Sequence, residues 1–173
     1  CDHAMFYSSS EFKKLFFDKN IDIIIWACKW HPPAILEPNM YGWLKVDSYN
    51  RVTDISLKKS FKDSKNHPII IGTFTFKKKK YLESSIKSLI NRKGLVNKEY
   101  YIDGCIVDAI KLGLNIKAFY IDNFMCWGTP NELKTFDYWQ SCFHKWDNHP
   151  YLWEKDIWNK KKTKFLQKNF RPI

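Results

Sequence analysis

Residues 8–28 read S-S-S-E-F-K-K-L-F-F-D-K-N-I-D-I-I-I-W-A-C, and this stretch decides the fold class. Ser8-x-x-Glu11 has the spacing of a capping box, in which a hydroxyl and a carboxylate satisfy the free amides of a helix start. Phe12, Leu15 and Phe16 then recur at i, i+3 and i+4, which predicts a helix over Ser8–Asp18 with one apolar side. Ile21–Cys28 follows as an almost unbroken apolar, β-branched run. Such a run predicts a strand covered on both faces, the habit of a central strand in an α/β protein. A helix that feeds directly into a buried strand predicts an α/β fold with a parallel sheet.

Outward from this stretch, His31–Tyr41 carries Pro32, Pro33 and Pro38 and reads as a loop, placed where α/β proteins keep binding loops. Gly42–Asp47 and Arg51–Leu57 read as a hairpin turning at Ser48-Tyr49-Asn50. Phe61–Asn66 is polar loop, and Pro68–Phe76 is a second strong strand with Gly72 in its middle. Tyr81–Asn91 and Tyr101–Leu112 read as helices, the first followed by Gly94 and the second stopped by Gly113. Asn115–Ile121 reads as a strand, and Met125–Trp127 as a short one. In Gly128-Thr129-Pro130-Asn131-Glu132, Thr129 is the expected helix cap, Pro130 the first helical residue and Glu132 the partner of the cap, with the helix running to about Phe143.

The length of 173 residues bounds the chain to one domain or a large piece of one, and an apolar fraction of 45% is enough for a core. No apolar run reaches the roughly 18 residues that span a bilayer. The opening Cys1-Asp2-His3 has neither the basic nor the apolar region of a secretion signal. The five cysteines are odd in number, widely spaced and without a C-x-x-C pair, which disfavours a zinc ribbon or redox motif and fits free thiols in a reducing cytoplasm. Cys1 in place of a starting methionine, with Met5 just inside, predicts a chain processed, excised or truncated at its start.

The net charge of +11 fits first a solvated basic surface with no specific polyanion, in a chain rich in Lys, Asn and Ile; otherwise it points to an anionic partner without naming it, since nucleic acid, phosphorylated metabolites and anionic lipid all fit. Residues 144–173 hold eight Lys or Arg against three acids, with Trp146, Trp153 and Trp158 among the lysines. This segment reads as a basic Trp/Lys-rich tail, partly helical, behind a domain spanning residues 1–143. Lys77–Lys80 form a second basic cluster.

Three local features carry chemical information. Asp2 is a carboxylate of the kind that holds a hard cation beside phosphate when it lies at the end of a strand. Taken alone, an Asp at a chain start is more often an exposed turn residue. Gly72 marks either close approach of a ligand to the backbone or a bulge. Residues 125–133 read as strand, tight turn and capped helix, whose free amides can receive an anion or simply begin a helix. No phosphate-binding G-x-x-x-x-G-K-[ST], no G-x-G-x-x-G and no G-x-S-x-G elbow occurs, and the five histidines make no metal spacing.

The ordered set of segments resembles the C-terminal two-thirds of the sugar-phosphate nucleotidyltransferases, the nucleoside-diphosphate-sugar pyrophosphorylase family. The segments are Asp2, the helix and strand ending at Cys28, G-W-L-K-V-D with R-V-T-D-I-S-L-K-K at Gly42–Lys59, I-I-I-G-T-F-T-F at Ile69–Phe76, N-K-E-Y-Y-I-D at Asn97–Asp103 and W-G-T-P-N-E-L at Trp127–Leu133. The resemblance covers roughly residues 1–143. It implies a Rossmann-like three-layer α/β fold with a mostly parallel mixed sheet, truncated at its N-terminus. It implies transfer of a nucleotidyl group from a nucleoside triphosphate to a sugar 1-phosphate, with release of pyrophosphate and with Mg²⁺ as cofactor. By this resemblance Asp2 is the catalytic and metal-binding carboxylate, and Lys58 or Lys59 pairs with the sugar phosphate, Lys59 being assigned the catalytic part. Gly72 contacts the sugar through its backbone, Glu99 and Asp103 lie in the acidic sugar-contact segment, and Trp127, Gly128 and Thr129 form the turn beside the metal. Such transfers rest on in-line positioning and on cations that neutralise crowded phosphates.

The sequence departs from the family in two places. The second metal carboxylate falls at Cys126, a poor ligand for Mg²⁺, with Asp122 as another candidate donor. The family's glycine-rich loop is absent, which predicts a fragment cut just before Asp2 and inactive alone. Two other classes stay open. One is a polyanion-binding module built on the basic tail, although no RNP-like or zinc motif supports nucleic acid. The other is a degenerate, non-catalytic transferase domain with a regulatory role, for which Cys126 speaks. Oligomeric state is open.

Overall fold

The computed structural model describes residues 2–63 and 66–148. The tail from 149 onward, and with it Trp153, Trp158 and most of the predicted basic segment, lies outside the described residues. By its contacts the chain divides into two compact units, one holding His3–Met125 and the other Asp2 with Cys126 onward.

The elements are β1 (His3–Phe6), α1 (Ser9–Phe17), β2 (Ile23–Cys28), α2 (Pro32–Leu36), β3 (Gly42–Val46), β4 (Val52–Leu57), β5 (Ile69–Phe76), α3 (Lys79–Asn91), α4 (Gly104–Lys111), β6 (Ile116–Tyr120), β7 (Asn123–Cys126) and α5 (Pro130–Asn148). The opening helix forms as its sequence requires: the Ser8 hydroxyl accepts from the Glu11 amide at 3.3 Å. The expected loop at His31–Tyr41 is instead α2 followed by a 3-10 turn, Pro38–Met40. Its prolines occupy first-turn positions, where a missing N–H costs nothing and the fixed φ suits a helix.

Five strands form one mixed sheet in the order β4-β3-β5-β2-β6, and β1 and β7 form a second, two-stranded sheet. The sheet is not mostly parallel. Among the described pairings of the large sheet, β2 runs parallel to β6, while β2–β5, β3–β4 and β3–β5 are antiparallel. Connection length sets only part of this: the hairpin at residues 47–51 can only return antiparallel, whereas the long connections that bring β5 and β6 beside β2 permit either direction, and β5 lies antiparallel and β6 parallel.

All six residues of β2 are buried. Ile23, Ile25 and Ala27 pack with Leu44, Ile70, Ile106, Ala109, Ile116 and Ala118 on the face that α4 covers. Ile24, Trp26 and Cys28 pack with Ile69, Ile71, Phe119 and Ala34 on the other, where Phe12 and Leu15 of α1 are seated. Helices on both faces explain why the run at Ile21–Cys28 has no polar alternation. On the first face α3 is braced against α4 by Asp108, 1% exposed, which accepts from Arg92 Nε at 2.8 and 2.9 Å, from Arg92 Nη2 at 2.8 Å and from the Ser88 hydroxyl at 2.9 Å.

Candidate active site

The larger unit gathers one set of the expected residues around the start of β3. Gly42 pairs with Leu57 and with Ile70. A Cβ on Gly42 would sit 3.0 Å from Asp103 Oδ2 and 3.0 Å from Ile70 Cδ1, so the absent side chain is what admits the Asp103 carboxyl to the sheet. Lys58 follows Leu57 in a left-handed conformation, φ 53°, a strained choice for a lysine. Its Nζ donates to the Met40 carbonyl at 2.8 Å and lies 5.8 Å from the centre of the Tyr101 ring. Burial pushes the Asp103 carboxyl above the ordinary carboxylate range, and the nearby Lys58 charge only partly offsets this. A desolvated acid beside a fixed lysine is a common arrangement at functional sites.

The segment that presents Asp103 is built by a tight turn. Val96 and Glu99 exchange backbone hydrogen bonds at 2.9 Å each, and Asn97 and Lys98 between them have φ of 49° and 65°. Two consecutive positive φ values define a primed turn, which asparagine tolerates well. Tyr101 donates its hydroxyl to Glu99 Oε2 at 2.7 Å, and that bond raises the Tyr101 pKa. Lys58, Glu99 and Asp103 are thus brought into one connected set. Lys59, next in the chain, is exposed.

Gly72 sits in a bulge of β5. Ile25 pairs with Phe74 and Ala27 with Ile70, so Trp26 alone faces the three residues 71–73. Gly72 has φ 78°, a conformation that L side chains rarely adopt, and open space where its Cβ would be. The bulge accounts for the glycine. The cavity beneath α2, lined among others by Cys28, His31, Trp43 and His67, measures about 10 Å³. That is room for about one water.

The smaller unit contains the second set. The Trp127 amide donates to the Asp2 carbonyl at 2.7 Å, tying the two segments side by side. A Cβ on Gly128 would lie 3.0 Å from Asp2 Oδ2 and 3.4 Å from Cys126 Sγ, so the glycine lets the carboxylate and the thiol share one corner. Thr129 caps α5 as predicted: it accepts from the Glu132 amide at 3.2 Å and donates to Glu132 Oε2 at 3.0 Å. The Trp127 indole N–H is buried without a hydrogen-bond partner.

The donors in this corner test the implied magnesium. Burial first, and then the neighbouring Glu132 and Asp2 carboxylates, push the Cys126 thiol up to about 11, so the sulfur stays protonated at neutral pH. A hard cation wants oxygen ligands, and a neutral thiol offers it nothing. Among the described residues no group of three or more His, Cys, Asp and Glu converges on a metal position. The pair Asp2 and Cys126 does not fit a protein-held Mg²⁺. Gly42 and Tyr101 are contributors to which sequence reading gave no role. Both lie inside quoted motifs, but the role of Gly42 depends on a partner 61 positions away.

The fold is similar to those of two solved structures. A nucleoside-diphosphate-sugar pyrophosphorylase from Vibrio cholerae RC9 matches it with a TM-score of 0.60 at 16% identity, over 78% of this chain and 52% of that chain. A CMP:2-keto-3-deoxy-manno-octonic acid synthetase, solved with CTP, matches with a TM-score of 0.45 at 11% identity, over 76% and 54%. The chain therefore spans about half the length of these solved structures. No family model and no curated protein matches the sequence. Among the described residues no helix is long and apolar enough to cross a membrane.

Proposed function

We propose that the chain contributes to transfer of a nucleotidyl group from a nucleoside triphosphate to a sugar 1-phosphate, yielding a nucleotide-sugar and pyrophosphate, as part of a complete gene product. The observation that carries this reading is the fold likeness to the pyrophosphorylase, over most of this chain and half of that one. The connected set around Gly42 supports it. Lys58 is the cation for the sugar phosphate, in preference to the exposed Lys59. Asp103 and Glu99 offer acceptors for sugar hydroxyls, since a carboxylate accepts and a hydroxyl donates. Trp127, Gly128 and Thr129 form the turn that opens α5, whose helix start favours negative charge, and Asp2 lies beside that turn. Catalysis of this kind asks chiefly for positioning and charge neutralisation.

A second reading has its own support in Cys126. A protonated thiol where the family carries a carboxylate fits a domain that binds nucleotide-sugar without turning it over. One experiment separates the two: pyrophosphate release by the full-length protein across a grid of nucleoside triphosphates and sugar 1-phosphates, alongside binding of the product nucleotide-sugar. Release that falls at least about a hundredfold in Lys58→Ala, the scale of one lost charge contact to the phosphate, supports the transferase. Binding without release supports the degenerate domain. Neither binding nor release refutes both.

A further inference from the structure

One end of the five-stranded sheet is left unused by either set of candidate site residues in the larger unit. Ile23 starts β2 and pairs in parallel with Ile116 at the start of β6, while Phe76 at the end of β5 pairs with Ile23. Three connections therefore meet at this end: residues 17–22, 77–80 and 111–115. Hydrogen bonds lock them together. The Asp22 amide donates to the Asn115 carbonyl at 2.8 Å, the Asn115 amide to Asp22 Oδ2 at 2.9 Å, and the Asn115 side chain to the Asn20 carbonyl. The Lys77 amide donates to the Asp22 carbonyl at 3.0 Å and its Nζ to the Asp18 carbonyl at 2.5 Å. In parallel strands, ligands are taken at the opposite, carboxyl ends.

This locked end is basic and carries protruding apolar groups. It presents Lys19, Lys77, Lys78, Lys79, Lys80 and Lys111. Its acids are engaged: Asp18 accepts from the Asn20 amide, Asp22 from the Asn115 amide, and Glu83 pairs with Lys79 at 3.1 Å. Lys13 and Lys14 extend the patch, lying four and three residues before Phe17 and so on the same side of α1. From this field project Phe17, 73% exposed, and Leu112, 50% exposed, with Phe16 at 40% beside Phe17. Lys77 is tied to the Asp18 carbonyl and Lys79 to Glu83, while Lys19 and Lys111 are exposed and Lys78 and Lys80 flank the Tyr81 ring. Lys78 to Lys80 sit at the positive end of α3, whose first turn holds no acid and whose cap makes no side-chain bond.

We infer that this end of the sheet docks on an anionic lipid surface. Lysines meet the headgroups while Phe17 and Leu112 enter the boundary between headgroups and acyl chains. Single-stranded nucleic acid stacks on exposed rings, but Leu112 has no ring to stack; an aliphatic side chain beside Phe17 favours the acyl boundary of a lipid surface over a soluble polyanion.

The test is sedimentation of the full chain with vesicles of phosphatidylcholine alone and with about 30% phosphatidylserine, a typical anionic surface, at low and moderate salt. The expected result is binding only to the anionic vesicles, weakening with salt. It falls about tenfold in Phe17→Ser/Leu112→Ser and again in Lys78→Glu/Lys80→Glu, a loss comparable to one or two headgroup contacts. All four positions are exposed and glutamates suit the start of α3, so melting temperature should not fall, which separates lost docking from lost folding. Equal binding to neutral vesicles, or binding that neither double variant changes, overturns the inference; the latter would assign the attraction to the residues beyond 148. Retention on single-stranded RNA with none on vesicles overturns it in favour of a nucleic-acid surface.

Discussion

Arg92→Met is the most exacting test of how the helical layer is held. The Asp108 carboxylate is 1% exposed and has four polar contacts, three of them from Arg92 and the fourth from the Ser88 hydroxyl. Burial alone would push this carboxyl up, but the Arg92 and Ser88 hydrogen bonds outweigh it and hold it below the ordinary range. Removing Arg92 leaves a buried charge with one hydroxyl. Breaking a buried pair in this way costs about 3–5 kcal/mol, and the lower end applies because the Arg92 side chain is 37% exposed and partly solvated already. For a chain of this size about 3 kcal/mol lowers the melting temperature by about 6–12 °C. The pH dependence has a definite sign. In the wild type a depressed carboxyl pKa stabilises above the unfolded value of about 3.9, and that stability fades as pH falls through the folded value. In Arg92→Met burial is no longer opposed, the folded pKa rises above the unfolded one, and the deficit should shrink as pH falls from 7 towards 5. Thermal and urea melts between pH 5 and 8 measure both effects. A double variant, Arg92→Met/Asp108→Leu, should be more stable than Arg92→Met alone. A single-variant loss under about 0.5 kcal/mol, or a double variant whose losses simply add, would refute the reasoning.

The Cys126 thiol, held near 11, should be slow towards iodoacetamide, with only about 0.1% thiolate at pH 8 and a rate that climbs until above pH 10; a half-maximal rate near pH 8.5 would contradict its burial. Cys126→Asp should create weak Mg²⁺ or Mn²⁺ binding, read by calorimetry, that the wild type does not show at the same concentration. Gly72→Ala should cost about 1–2 kcal/mol in urea melts although nothing crowds the site, because only its φ of 78° resists a side chain; a neutral result would mean that the bulge relaxes. Thr129→Ala should cost about 1 kcal/mol by loss of the α5 cap, with Thr129→Ser recovering most of it.

Local signals in the chain were strong wherever one segment's own chemistry decides its shape. The Ser8 and Thr129 caps, the hairpin around Asn50 and the stop at Gly113 all form from neighbours a few residues apart. The two-faced burial of Ile23–Cys28 was equally legible, because only a strand covered on both sides can be apolar at every position. Strand direction was not, since it depends on which strands become neighbours, and β5 lies antiparallel to β2 across 40 intervening residues of chain. The site shows the same division. The motif at Trp127–Leu133 announced a capped helix start, and that is local. The approach of Asp103 to Gly42, the choice of Lys58 over Lys59, and the protonation of Cys126 were decided only in the folded chain. Each depends on burial and on distances between distant segments, and no residue carries those in its own identity.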